Sequence, residues 1–194
     1  MSEPYQKRFV YPTENSPNYD NDKWAIPLTS TSQGVKNFEG FLNVFLRPDQ
    51  DLSYSGESNT WIMFNLKGGS FYRVNYEEQL WKRIISSLKS AERTEIHVLN
   101  RARLVDDIFN IARIGDVSYA LAFELADFLV DETEYYPWYS ALNAFTYIIG
   151  KLEDDEVETN LEVSIHVVLC IARNIYFQRN KNLLFKICRN YIFS

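Results

Sequence analysis

Two histidines, two cysteines and seven glycines are all that 194 residues supply for metal, thiol and phosphate chemistry. His97, His166, Cys170 and Cys188 form no Cys-x-x-Cys or His-Glu-x-x-His spacing, so no self-sufficient His/Cys metal site is expected, while the same pattern does not speak to an all-carboxylate site. No glycine falls in a Gly-x-Gly-x-x-Gly or P-loop pattern, which removes the phosphate-cradling loops. Excess positive charge is absent too. Lys plus Arg number 20 against 26 Asp plus Glu, and a net charge of −6 opposes phosphate-backbone binding, so no nucleic-acid partner is expected. Met1 to Arg8 has no apolar core of signal-peptide length. The longest apolar stretch, Val163 to Ala172, contains Ser164 and His166 and stops at Arg173, short of the roughly 18 residues a membrane span needs. No membrane span is expected, and no Asn-x-Ser/Thr acceptor marks an extracellular surface, so the compartment stays open.

What is present is hydrophobic and aromatic side chain, at 46% and 15% of the residues, enough for one full domain or two small ones. The first 22 residues read as a loop around Pro12-Thr13-Glu14-Asn15-Ser16-Pro17-Asn18. From Lys23 to Tyr76 the apolar runs are short, aromatic and β-branched: Trp24 to Ile26, Phe41 to Leu46, Trp61 to Phe64 and Phe71 to Tyr76. Each reads as a strand, and the intervening turn residues favour consecutive antiparallel pairing, as in part of a β-sandwich. After Tyr76 the period changes from two to 3.6. Leu80, Trp81, Ile84, Ile85 and Leu88 mark one helix. A second runs from about Thr94 to Ile114 with Gly115 as its C-cap, a third from about Ser118 to Val130, and a fourth from Pro137 with Leu142, Phe145, Ile148 and Ile149 inward.

The expected fold class is therefore α+β, a partial antiparallel β-sandwich followed by an array of α-helical hairpins of α-solenoid type. Residues 1–76 make the sandwich part with its N-terminal loop, residues 77–150 the start of the helical part, and residues 151–194 a divergent tail. That tail opens acidic at Glu153-Asp154-Asp155-Glu156-Val157-Glu158, turns basic beyond Ile171, and reads either as an amphipathic surface helix or as a helix lacking its partner.

Four blocks carry a resemblance. Lys23-Trp24-Ala25-Ile26-Pro27-Leu28-Thr29, Trp61-Ile62-Met63-Phe64-Asn65 with Phe71-Tyr72-Arg73-Val74-Asn75-Tyr76-Glu77, Asn100-Arg101-Ala102-Arg103-Leu104-Val105-Asp106-Asp107, and Glu132-Thr133-Glu134-Tyr135-Tyr136-Pro137-Trp138 follow one another in order. They resemble, in the same order, segments of the third and fourth domains of the M1 zinc aminopeptidases, the family of aminopeptidase N and the endoplasmic-reticulum aminopeptidases. Ser70-Phe71 stands where Gly-Tyr is usual, and Glu77 where Asp is usual. The family pattern is followed to Ile148.

The resemblance implies a linker β-sandwich leading into a helical domain that closes over a substrate chamber. It implies zinc and removal of N-terminal residues from peptides as the business of the parent enzymes, whose zinc helix, amine-binding Gly-Ala-Met-Glu-Asn strand and catalytic Tyr have no counterpart in this sequence. No catalytic or metal-binding residue is carried over, and no cofactor is expected in this chain. The matched positions are expected to be structural: Trp24, Pro27, Tyr72, Arg73, Asn75 and Tyr76 in the first two blocks, Asn100, Arg101, Asp106 and Asp107 in the third, Glu132, Tyr135, Pro137 and Trp138 in the fourth.

Weighed on their own chemistry, the same residues read alike. Asp106 and Asp107 are adjacent on a helix and point about 100° apart, which suits ion pairs with Arg101, Arg103 or Arg113 better than one shared acid-base site. Arg73 on an aromatic strand demands a carboxylate or carbonyl partner. Tyr135 to Trp138 reads as a packed helix entry before an aromatic peptide platform. Two functions remain: a non-catalytic portion of an M1 aminopeptidase, which meets peptide substrate only within a full-length enzyme, or a stand-alone helical module that binds peptides or proteins. In the first, incomplete sheets and helices leave apolar faces through which the chain self-associates.

Overall fold

The five apolar residues that mark the first helix, Leu80, Trp81, Ile84, Ile85 and Leu88, are all buried on one side of α1 (Glu78–Leu88) in the computed structural model, which describes residues 6–11, 23–40, 44–47 and 59–152. Among those residues the fold is α+β. Four short strands, β1 (Ile26–Leu28), β2 (Ser30–Ser32), β3 (Val44–Leu46) and β4 (Ile62–Phe64), precede α1, α2 (Val98–Arg113), α3 (Tyr119–Ala126) and α4 (Tyr135–Leu152). The acidic run from Glu153, the basic tail, His166, Cys170 and Cys188 lie outside the described residues.

The strands form two antiparallel pairs. β1 lies against β3 with Pro27 opposite Phe45, and β2 lies against β4 with Thr31 opposite Met63. The first pair joins the first and second expected strands in succession, but β1 starts at Ile26 rather than Trp24 and runs on to Leu28. The second does not, because β4 pairs with the Ser30-Thr31-Ser32 segment, whose polar composition hides it from a strand reading. Thr29 sits between the two pairings: its carbonyl accepts from Asn65 N at 3.0 Å and its hydroxyl from Leu66 N at 2.8 Å.

Phe71 to Tyr76 is not a strand. Its main chain is satisfied by side chains rather than by a neighbouring strand: Tyr72 O accepts from Asn65 Nδ2 at 2.8 Å and from Arg103, and Val74 N donates to Asp107 Oδ2 at 3.1 Å. Alternation of aromatic and polar residues cannot tell these two modes of backbone satisfaction apart.

Among the described residues α2 is the central helix and packs against α3, α4 and the 3-10 turn Leu66–Gly68. Ten of its 16 residues are buried, including Asn100, Arg101 and Asp107 as well as Val105, Ile108 and Phe109. It starts four residues later than the apolar periodicity suggests, because Ala91–Glu95 forms a 3-10 turn and His97 caps α2, its Nδ1 accepting from Leu99 N at 3.2 Å. It ends as expected at Gly115, where φ is 84°; Gly115 N bonds Ala112 O at 3.0 Å and Asp116 N bonds Ile111 O at 3.2 Å, the paired closure that glycine permits.

α3 begins at Tyr119 with Ser118 as its cap, the hydroxyl accepting from Leu121 N at 3.2 Å. The helical period expected to reach Val130 changes to a 3-10 turn at Asp127–Asp131. α4 begins at Tyr135, so Pro137 falls in the first turn, where no intrahelical donor is needed. Its buried side is Trp138, Ala141 and Phe145, with Ile148 and Ile149 partly covered; Leu142, expected inward, is half-buried outside this core. Phe109, Phe123 and Phe145 meet there, Phe109 edge-on to each of the others at 5.5 Å.

Candidate functional site

Three polar constructions gather around α2. The first joins the segment leading into α1 to the middle of α2. Arg73 NH1 reaches Asp106 Oδ2 at 2.5 Å and Asp107 Oδ1 at 3.2 Å, while Arg103 Nε lies 3.4 Å from Asp107 Oδ2. Asp107 is buried between the two guanidiniums and also accepts the Val74 amide. Burial pushes its carboxyl up to about 7, against the pull of Arg103, the Val74 amide and Arg73, each of which favours the anion. Asp106 is half-exposed and holds Asn110 Nδ2 at 3.0 Å. Phe9 covers the Arg73 guanidinium, its ring centroid 5.1 Å from Cζ.

The second joins α2 to the entry of α4. Arg101 grips Glu132 through two bonds, Nε to Oε2 at 2.6 Å and NH2 to Oε1 at 3.2 Å, with both side chains buried. Arg101 also donates to Ile96 O at 2.5 Å and Arg93 O at 3.2 Å. Glu132 Oε1 accepts the Thr133 and Glu134 amides at 2.9 and 3.0 Å, and its carbonyl accepts the Trp138 indole at 3.0 Å. The Glu-Thr-x-Tyr-x-Pro-Trp spelling is thus a helix start, with Glu132 satisfying amides ahead of α4 and Pro137 and Trp138 buried beyond it. Tyr136 and Tyr139 remain on the surface beside Tyr135, whose ring centroid lies 5.4 and 5.6 Å from theirs.

The third ties the turn after β4 to α2. Asn65 is fully buried in a left-handed conformation, φ 55° and ψ 59°, which asparagine tolerates better than most residues. Its side chain donates to Ser70 O at 2.9 Å and Tyr72 O at 2.8 Å and accepts from Ser70 N at 3.0 Å. Asn100 Oδ1 then receives Lys67 N at 2.8 Å. Asn75 Oδ1 accepts the Trp81 indole at 3.1 Å, and the buried Tyr76 hydroxyl accepts Phe64 N at 3.0 Å, its pKa raised by burial. Burial likewise pushes Tyr72 up to about 12.

Of the remaining sequence-derived residues, Trp24 is partly exposed, its main chain clasped by the Gln6 amide through bonds of 2.7 and 2.9 Å. Pro27 lies in β1. The arginine partners are redistributed: Arg101 belongs to Glu132, and Arg113 to neither aspartate. Sequence reasoning missed Asn65, whose position ahead of Leu-Lys-Gly-Gly is a turn signal, and Arg113 with Tyr11, Tyr119 and Tyr147, whose meeting no spacing announces. An open cleft of about 210 Å³ lies between Arg73, Asp106, Arg113, Tyr119 and Tyr147.

Zinc has no seat among these groups. Among the described residues no three His, Cys, Asp or Glu side chains converge as metal ligands, and His97 uses its Nδ1 as the α2 cap, with burial and Lys67 holding its pKa below the usual imidazole value. The carboxylates of the site, Asp106, Asp107 and Glu132, are engaged by arginines, and Asp107 and Glu132 also by backbone amides, an arrangement that ties chain segments together.

Comparison with known proteins assigns this construction. Residues 61–179 match the family model for the ERAP1-like C-terminal domain. A membrane alanyl aminopeptidase of Manduca sexta is 38% identical over 141 residues, covering 68% of this chain and 14% of the relative. One of Heliothis virescens is 32% identical over 162 residues, covering 80% of this chain and 16% of the relative. Aminopeptidase N of Homo sapiens is 34% identical over 141 residues, covering 73% and 14%. The chain thus spans about a sixth of the length of these relatives or less. The family match includes both the Arg73 segment and the helices to which it is pinned, and on it the chain belongs to the ERAP1-like C-terminal domain family and corresponds to a portion of an M1 aminopeptidase.

Proposed function

We propose that this chain is a non-catalytic structural portion of a zinc-dependent M1 aminopeptidase, an enzyme class that removes N-terminal residues from peptides. Its two antiparallel pairs are the part of a linker β-sandwich that the chain supplies, and α1 to α4 are the first hairpins of a helical array forming part of the lid over a substrate chamber. The observation that carries this reading is the double anchoring of α2: Arg73 fastens the strand-bearing segment to Asp106 and Asp107, and Glu132 fastens the next hairpin to Arg101. Such anchors hold a linker and a helical array in fixed relation, which a lid requires. Zinc and peptide substrate belong to the whole enzyme in this reading.

Val44 and Phe45, exposed on opposite sides of β3, and Trp24 beside the β1–β3 pair fit the same reading as apolar surface that packs against the rest of a longer protein. The test is hydrolysis of an aminoacyl anilide by the purified chain, with and without added zinc. No turnover is expected. Chelator-sensitive turnover, absent from a mock purification, would overturn the non-catalytic assignment.

A further inference from the structure

Arg113, in the last turn of α2, is the exception among the arginines of this helix. Arg101 and Arg103 are paired with carboxylates, whereas the Arg113 guanidinium meets only two rings: its Cζ lies 3.7 Å from the centroid of Tyr11 and 3.7 Å from that of Tyr147. Two rings centred this close to one carbon cannot occupy the same space, so the guanidinium lies between Tyr11 and Tyr147. A guanidinium held between two rings is restricted in orientation, and its N–H donors, which lie in one plane, point where the rings leave space. Among the described residues those donors have no hydrogen-bond or ion-pair partner. Tyr11 is fixed in turn, its hydroxyl donating to Asn110 Oδ1 at 2.7 Å.

The cleft of about 210 Å³ lies against this guanidinium. Its charged lining is Arg73, Arg113 and Asp106, and Asp106 is already neutralised by Arg73 at 2.5 Å, which leaves the cleft cationic in a chain of net charge −6. Phe109, Tyr119, Tyr147 and Ile148 supply apolar and aromatic wall. The volume is below the roughly 300–1,000 Å³ of a drug-sized pocket, so the cleft takes one end of a ligand.

We propose that this cleft is a subsite for the carboxylate of a small ligand with an apolar or aromatic body, the carboxylate meeting the Arg113 guanidinium edge-on and the body lying on the Tyr119 and Ile148 side. A fork of coplanar N–H donors matches a carboxylate's two oxygens. The apolar wall disfavours a fully hydrated phosphate, which loses solvation there without gaining partners. The subsite is independent of the aminopeptidase reading, since it uses neither zinc nor the ion clusters' buried members.

The probe is benzoylglycine, titrated into the full chain and followed by amide NMR. Saturable binding is expected at about 10 mM or below, with the Asn110, Arg113 and Tyr147 amides shifting together. Benzoylglycinamide, which lacks the charge, is expected to bind at least about tenfold more weakly, and R113Q to lose binding to the same degree. R113K keeps the charge without the planar fork and is also expected to bind more weakly, which decides the matter should R113Q fail to melt cooperatively. Absence of saturation, equal binding of the amide, unchanged binding by the folded arginine variants, or inorganic phosphate binding as tightly as benzoylglycine would each overturn the proposal.

Discussion

Arg101 and Glu132 face each other across 31 residues of sequence through two charge-assisted bonds, and every further polar contact of either side chain goes to backbone. The pair therefore closes three chain segments at once: the turn before α2, α2 itself and the entry to α4. Removing one partner strands the other in a buried site, so Glu132→Gln and Arg101→Met are each expected to cost about 3–5 kcal/mol in urea unfolding. The double variant is expected to cost less than the sum of the two. Strict additivity would show that the pair is not coupled.

Asp107 gives the protein a pH dependence of defined sign. Its carboxyl is raised above the ordinary value by burial, to about 7, so the folded chain binds a proton that the unfolded chain has released. This contribution to stability is fully present below pH about 4 and is lost as pH rises through about 7. Asp107→Asn imitates the protonated side chain. It is expected to be nearly neutral in thermal melts at pH 5 and to flatten the decline between pH 5 and 8; a steeper decline in the variant would contradict the assignment.

Asn65 combines a left-handed backbone with three side-chain bonds that fold the chain back from β4 toward Arg73. Asn65→Ala loses the bonds and the conformational tolerance together, for an expected loss of about 2–4 kcal/mol. Asn65→Gly keeps the tolerance alone and is expected to lose less. Circular dichroism melts at one pH compare the two directly.

The partly exposed Trp24, Val44 and Phe45 lead to an expectation for the isolated chain. Sedimentation velocity should show mass-dependent association as concentration rises, relieved by Phe45→Ser with Val44→Thr. A monomer at all concentrations would count against the proposed packing role of these exposed side chains.

The helices were readable because their information is local. α1 announces itself through Leu80, Trp81, Ile84, Ile85 and Leu88, and α2 ends where Gly115 accepts a positive φ. The strands were less readable, since β2 is Ser-Thr-Ser and gains its place only by pairing with β4. Phe71 to Tyr76 spells a strand but is fixed by Asn65, Arg103 and Asp107, which lie in other parts of the chain. The same limit applies to the ion pairs. That Arg73 needs an acidic or carbonyl partner follows from its surroundings, whereas the assignment of Arg101 to Glu132 rather than to Asp106 or Asp107 depends on how α2 is rotated against α4. Arg113 and its two tyrosines come from three separate segments, and nothing short of the fold brings them together.

The most direct measurement is an exchange: the corresponding segment of the Manduca sexta membrane alanyl aminopeptidase replaced by residues 6–152 of this chain, with turnover of an alanyl anilide as the readout. The chimera is expected to fold and retain aminopeptidase activity, and to lose both together when Arg73→Ala and Glu132→Ala remove the two anchors. A folded chimera without activity, or one whose activity survives the loss of both anchors, would contradict the structural role proposed for this chain.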